Sequence, residues 1–220
     1  MGAGAVNPCG SPWHPAAIAG VSAGPATAAD VAADPRGLPV QVAYTPGSTC
    51  FGCGPSHGAV DPAPGDDPNA PPGPGAGLGL RSYRSPAAPD GLEGEVVVDR
   101  RFEAFPGVVS GGVVATLLEC HGSWTASLAL MDRRCLPHPP LTMTRSLTVE
   151  YSRTVPPGTP LRLVSTVVNV RPSRRDRFKS VVEVEQTLSG ADGRGRENTT
   201  LARCTGAFVQ VGAMRVDTMV

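Results

Sequence analysis

Residues 105–126 read FPGVVSGGVVATLLECHGSWTA, and the fold turns on how this run is interpreted. Val113, Val114, Leu117, Leu118, Trp124, Leu128 and Met131 recur at spacings of three and four, the period of an α-helix. Small or apolar residues fill most of the other positions from Gly111 to Met131, so the helix is expected to be buried on nearly all sides. Ser110 stands at its start as an N-cap candidate. Glu119 is the anomaly, the only acid between Phe105 and Met131. Burying a carboxylate without partners is costly, so a chain that keeps one either pairs it or uses it. Arg145, in the strand pattern that follows, is a possible structural partner. Spacing alone leaves both readings open.

Outward from the helix, the pattern changes to strands. Two are expected before it, over 78–83 and 93–99, and a breaker-rich irregular loop over 101–110 leads into it. Four more follow at 143–151, 161–170, 178–188 and 199–211, with turn residues at 156–158, 171–173 and 191–193. Two strands, one long buried helix and four strands predict an α+β domain, one curved antiparallel sheet wrapped around a central helix. The domain is expected over 78–212, with a tail at 213–220.

The rest of the chain reads differently. The 220 residues include Gly 27 and Pro 24, concentrated in 1–48 and 55–77, which are expected to be disordered for want of large apolar side chains. Between them, residues 49–54 form a short island carrying Cys50, Phe51, Gly52, Cys53 and Gly54. Nineteen basic residues balance nineteen acidic ones, so no basic field is available for nucleic acid. The apolar run 108–131 has the length of a membrane span, but Glu119 and His121 near its middle argue against one. No basic n-region precedes an apolar stretch, so no secretory leader is expected. An intracellular, reduced, cytoplasmic chain is the expectation; organelle targeting is not excluded but is unsupported by a start with Arg36 as its one base against Asp30 and Asp34.

Gly111 and Gly112 open the helix, where backbone amides have no intrahelical acceptor and glycine lets a ligand come close. Such a helix start suits developing negative charge. Gly111 and Glu119 lie about 12 Å apart along one helix, too far to share one carbonyl. Two antiparallel copies of the helix would bring the amide of one chain to the carboxylate of the other. Cys120 and His121 follow Glu119 on different helix sides, which disfavours a Cys-His-Glu catalytic set. Cys50 and Cys53 could hold zinc with His57 and another ligand, but no second CxxC follows, and a packed reduced loop is the default. No metal is assigned.

The run 105–126, with LTMTRSLTVEYSRTVPPGTPLRL at 141–163 and the CFGCG motif at 50–54 ahead of Gly77-Leu78-Gly79-Leu80, resembles hotdog-fold acyl-CoA thioesterases. The resemblance is to the phenylacetate-pathway and human long-chain group and covers about 50–211, interrupted by the Pro-rich insertion. It implies a lipid-metabolism hydrolase releasing free acid and coenzyme A. Glu119 would be nucleophile or general base, the Gly111 amide a carbonyl polariser, and Ser123 and Thr144 polar neighbours. Ser110, where the family most often has His, and Gly112 would face the substrate. Arg174, Arg175, Arg177 and Lys179, beside Arg171, would meet the coenzyme A phosphates. It also implies a homodimer or homotetramer acting on acyl-CoA, with coenzyme A present only as part of the substrate. The alternative is a hotdog protein that binds acyl-CoA without turning it over.

Overall fold

The computed structural model describes residues 37–57, 77–85, 88–174, 176 and 179–214. A short helix, α1 (Val40–Tyr44), precedes β1 (Arg81–Ser85) and β2 (Ala88–Val97). A 3-10 turn over Arg100–Phe102 leads to the paired β3 (Glu103–Phe105) and β4 (Val108–Val109). The long helix α2 spans Gly111–Arg133. Four strands close the chain: β5 (Pro140–Tyr151), β6 (Pro160–Pro172), β7 (Ser180–Gly190) and β8 (Thr199–Ala213).

Six of the strands form one antiparallel sheet in the order β1-β2-β6-β7-β8-β5, with β1 and β5 at its edges. The sheet packs around α2, whose Leu117, Leu118 and Met131 meet Leu163, Leu188 and Leu201 in one buried cluster. A second cluster sets Ala126 and Leu130 against Val182, Val184 and Phe208. Each such side chain contributes roughly 2 kcal/mol by leaving water. This is the hotdog arrangement, a curved sheet wrapped around a central helix. From Leu117 to Met131 only Glu119, Ser123 and Ala129 escape full burial, as the apolar wrapping predicts.

Three expectations need correction. Residues 37–48, expected to be disordered, carry α1, and its Val40 and Tyr44 belong to the main core, as does Cys53 of the CFGCG loop. Two large side chains suffice because the core supplies the other wall. Residues 1–36 and 58–76 lie outside the described residues. The loop expected over 101–110 is a small hairpin, in which Gly107 takes a positive φ of 78° at the turn between β3 and β4. The breakers there direct a turn rather than prevent pairing. The expectation of a fully reduced chain does not fit the cysteines: Cys50, Cys53, Cys120 and Cys204 are free thiols. Cys135, exposed beyond the helix end, is disulfide-bonded. Its exposure leaves the sulfur accessible for pairing.

Candidate active site

Helix α2 offers the site through a partly exposed stripe in its first half. Gly112, Thr116, Glu119 and Ser123, at spacings of four, three and four, are all partly or wholly exposed, while their neighbours from Leu117 onward are buried. That spacing keeps the four on one helix face. Glu119 is half-buried, and the Thr144 hydroxyl on β5 donates a short hydrogen bond to its Oε1. Arg145 is exposed, and no cation pairs with Glu119 among the described residues. The structural ion pair considered for the carboxylate is therefore not what holds it.

A bulge in β5 aims Thr144. The β5–β8 register runs Thr144↔Phe208 and then Ser146↔Ala207, so Arg145 is the extra residue. Before the bulge, Thr142 and Thr144 turn toward α2; after it, Leu147 and Val149 do, and they pack against the main core. A bulge re-aims side chains in this way because it shifts the two-residue alternation by one.

Glu119 opens on a cavity of about 150 Å³ that is also lined by Ser48, Cys50, Cys120, Ser123 and Thr142. The Ser123 hydroxyl lies 3.0 Å from Thr142 Oγ1, and Ser127 Oγ lies 2.9 Å from the same atom. Ser123 thus shares the cavity with the carboxylate, while its resolved partner is Thr142.

The helix start is as bare as expected. Ser110 is the N-cap residue, but its side chain makes no capping bond. The first amide satisfied by the turn is that of Val113, 3.0 Å from Ser110 O. A Cβ on Gly111 would come no nearer than 3.6 Å to the Tyr151 ring, and one on Gly112 would lie 3.7 Å from Ser110 Oγ. Both are ordinary contacts, so packing within the chain gives no reason for two glycines. The Tyr151 hydroxyl donates to Gly111 O at 2.8 Å, beside the exposed start of α2.

His121 faces the opposite way, as adjacent-residue geometry predicts. It is fully buried, with Nδ1 2.9 Å from Ser82 Oγ and Nε2 3.3 Å from Leu92 O. Gln41 of α1 donates to Ser82 Oγ at 3.0 Å and accepts from Ser82 N at 3.0 Å. A neutral ring satisfies this set, Nε2–H donating to the carbonyl and Nδ1 accepting from the hydroxyl. Burial pulls the His121 pKa down to about 4 against a smaller opposing effect of the Leu92 carbonyl.

The cations expected for phosphate are partly engaged. Arg174 is exposed in the β6–β7 turn; Lys179 pairs with Asp176 at 3.4 Å, and Arg171 with Glu183 at 3.0 Å. Arg175 and Arg177 lie outside the described residues. The register sets Val182, Phe208 and Thr144 in one row across β7, β8 and β5. β7 therefore lies about two strand spacings, or about 10 Å, from Thr144 across the sheet, and the β6–β7 turn lies further along, beyond its Ser180 end.

Sequence reasoning missed one member of the cavity wall. Cys120 meets Cys50 and Cys53 there, while His57 instead places Nδ1 2.6 Å from Thr49 O. Only the doublet's CxxC spacing is visible locally; the third thiol comes from a distant helix.

No family model and no curated protein matches the chain in sequence. Among solved structures it is similar to a thioesterase-superfamily protein from Shewanella loihica PV-4, with 27% identity, a TM-score of 0.44, and coverage of 60% of this chain and 91% of that one. It is similar to the E. coli PaaI protein from the phenylacetic acid degradation operon, at 12% identity, TM-score 0.45 and 62% and 83% coverage. A third is a hypothetical thioesterase from Streptococcus pneumoniae TIGR4, solved with coenzyme A, at 14% identity, TM-score 0.44 and 62% and 88% coverage. These neighbours are of the group that the helix motif led us to expect. Their TM-scores lie below one half, so the chemistry of this chain has to be read from its own site. Among the described residues, no helix is long and apolar enough to cross a membrane.

Proposed function

We propose that the protein hydrolyses an acyl-CoA thioester to a free carboxylic acid and coenzyme A. One observation carries the reading. Glu119 is a half-buried carboxylate with no cation paired to it among the described residues, oriented by one hydroxyl and opening on a cavity along the partly exposed stripe of α2. A carboxylate so held keeps lone pairs free for a proton or a carbonyl carbon.

As general base, Glu119 takes a proton from water attacking the thioester carbonyl and returns it to the departing thiolate. As nucleophile, it expels the thiolate and forms an anhydride that water then cleaves. In either case the developing oxyanion needs donors, and the Gly111 and Gly112 amides are the available set. They lie about 10 to 12 Å from Glu119 along the same helix, so the working site joins two copies. The long edge strand β5 supports a homo-oligomer: among the described residues its one strand neighbour is β8, and it exposes Met143 and Tyr151 at 56% and 53%. Uncovered strand edges of this length tend to find a partner. Arg174 and its neighbours in the β6–β7 turn would hold the phosphates.

The test is hydrolysis of an acyl-CoA panel, followed by loss of thioester absorbance because exposed Cys50 would react with a thiol reagent. Turnover by the native protein and its loss in Glu119→Gln support the reading. Equal acyl-CoA binding by both, with no turnover by either, replaces it with a binding protein.

A further inference from the structure

The thiol group in the cavity wall plays no part in the proposed hydrolysis. Sγ atoms of Cys50, Cys53 and Cys120 lie within 4.8 Å of one another, and Cys50 Sγ is 3.7 Å from Cys120 Sγ. Cys53 and Cys120 are buried, and Cys50 is exposed. Zinc–sulfur bonds of about 2.3 Å in a tetrahedron put neighbouring sulfurs about 3.7 to 3.8 Å apart. A disulfide would need about 2.05 Å and would leave the third thiol unused.

The backbone around the thiols is built for this meeting. Gly54 N bonds back to Cys50 O at 2.8 Å, closing the loop that carries the CxxC pair. Two further bonds, Leu78 N to Phe51 O at 2.8 Å and Leu80 N to Gly52 O at 3.1 Å, tie the loop to the chain entering β1. A Cβ on Gly52 would stand 2.5 Å from Cys120 Sγ, so only glycine admits the helix thiol there. A loop needed only to cover the helix would not have to bring its backbone so close to one sulfur.

The geometry points to a zinc site in which Cys50, Cys53 and Cys120 supply three thiolates and water from the cavity takes the fourth position. On binding, three S–H bonds are lost, their protons leave to solvent, and three Zn–S bonds form. Three sulfurs within 4.8 Å of one another suit a single tetrahedral, non-redox dication. No fourth Cys, His, Asp or Glu joins the group among the described residues. The ion would pin the 48–57 loop to α2 beside Glu119, fixing one wall of the cavity.

The experiment uses the full chain, purified reduced and without chelator. Native mass spectrometry is expected to show one zinc per chain. Cobalt(II) added to metal-stripped protein is expected to saturate at one equivalent, with near-ultraviolet thiolate charge-transfer bands and the strong visible bands of a tetrahedral site. Cys50→Ser and Cys120→Ser lose those bands; Cys204→Ser, whose thiol lies against Gln186, keeps them. Zinc also slows alkylation of exposed Cys50 in the unmutated protein, a readout that survives if a variant fails to fold. A folded protein with no charge-transfer band, bands that persist in both Cys50→Ser and Cys120→Ser, or a Cys50–Cys120 disulfide in the reduced preparation overturns the site. None of these readouts needs an acyl-CoA, so loss of the hydrolase reading leaves this one standing.

Discussion

Glu119 and His121 lie two residues apart on α2 and live in opposite surroundings. His121 is 0% exposed, both ring nitrogens have partners, and the chain Gln41–Ser82–His121–Leu92 closes without reaching solvent. Glu119 is half-buried, has one hydroxyl partner, and faces an open cavity. Roughly 200° of helical rotation separates them. A buried polar group whose every atom is paired rigidifies the core and has nothing left for a ligand. A half-paired one at a cavity keeps capacity for chemistry. The pair shows that polarity inside a hotdog helix marks a site only where partners run short.

Breaking the open side should produce the largest effect. Glu119→Gln keeps the shape and removes the base, and steady-state hydrolysis of acyl-CoA is expected to fall by about 10³-fold, with the thermal midpoint little changed. Unchanged turnover would move the chemistry elsewhere.

The sealed side should answer to pH rather than to substrate. With a folded pKa near 4, below the ordinary 6.5, His121 takes its proton more readily in the unfolded chain. Its stabilising share is therefore complete above pH 6.5 and lost as pH falls toward 4, a total of about 3 kcal/mol. Urea melts across that window should show the loss in the native protein and a flatter profile in His121→Gln. Parallel profiles would mean that the ring is not kept neutral.

Smaller effects should separate orientation from chemistry. Thr144→Val removes the hydroxyl that orients Glu119, and kcat is expected to drop about 10-fold with the fold intact by circular dichroism. Gly111→Ala has room in the chain, so stability should hold or rise by up to about 1 kcal/mol. If substrate approaches that amide, kcat/KM falls in this variant; equal kinetics would take Gly111 out of the site. Tyr151→Phe, which loses one exposed hydrogen bond to Gly111 O, should shift chemical-denaturation stability by less than about 1 kcal/mol.

Much of this was legible in the residues alone. The three-and-four spacing placed α2 within a few residues of its ends, and the solitary acid in that run pointed to Glu119. Alternation and turn residues found the four strands after the helix. Less legible was α1, because a five-residue helix in an Ala/Gly/Pro-rich stretch has no periodicity of its own and is held by the core it joins. The Arg145 bulge was hidden too: strand alternation predicts one face for Thr144 and Ser146, and only pairing with β8 shows that the count slips between them.

By itself, then, the sequence determined the elements and the residue of interest, since helix and strand periods are written in neighbours a few positions apart. The tertiary structure alone decided that Thr144 reaches Glu119, that His121 is sealed by a helix far upstream, and that Cys120 meets Cys50 and Cys53. Those meetings depend on strand register and on how loops close over α2, and neither is encoded in any local window of the chain.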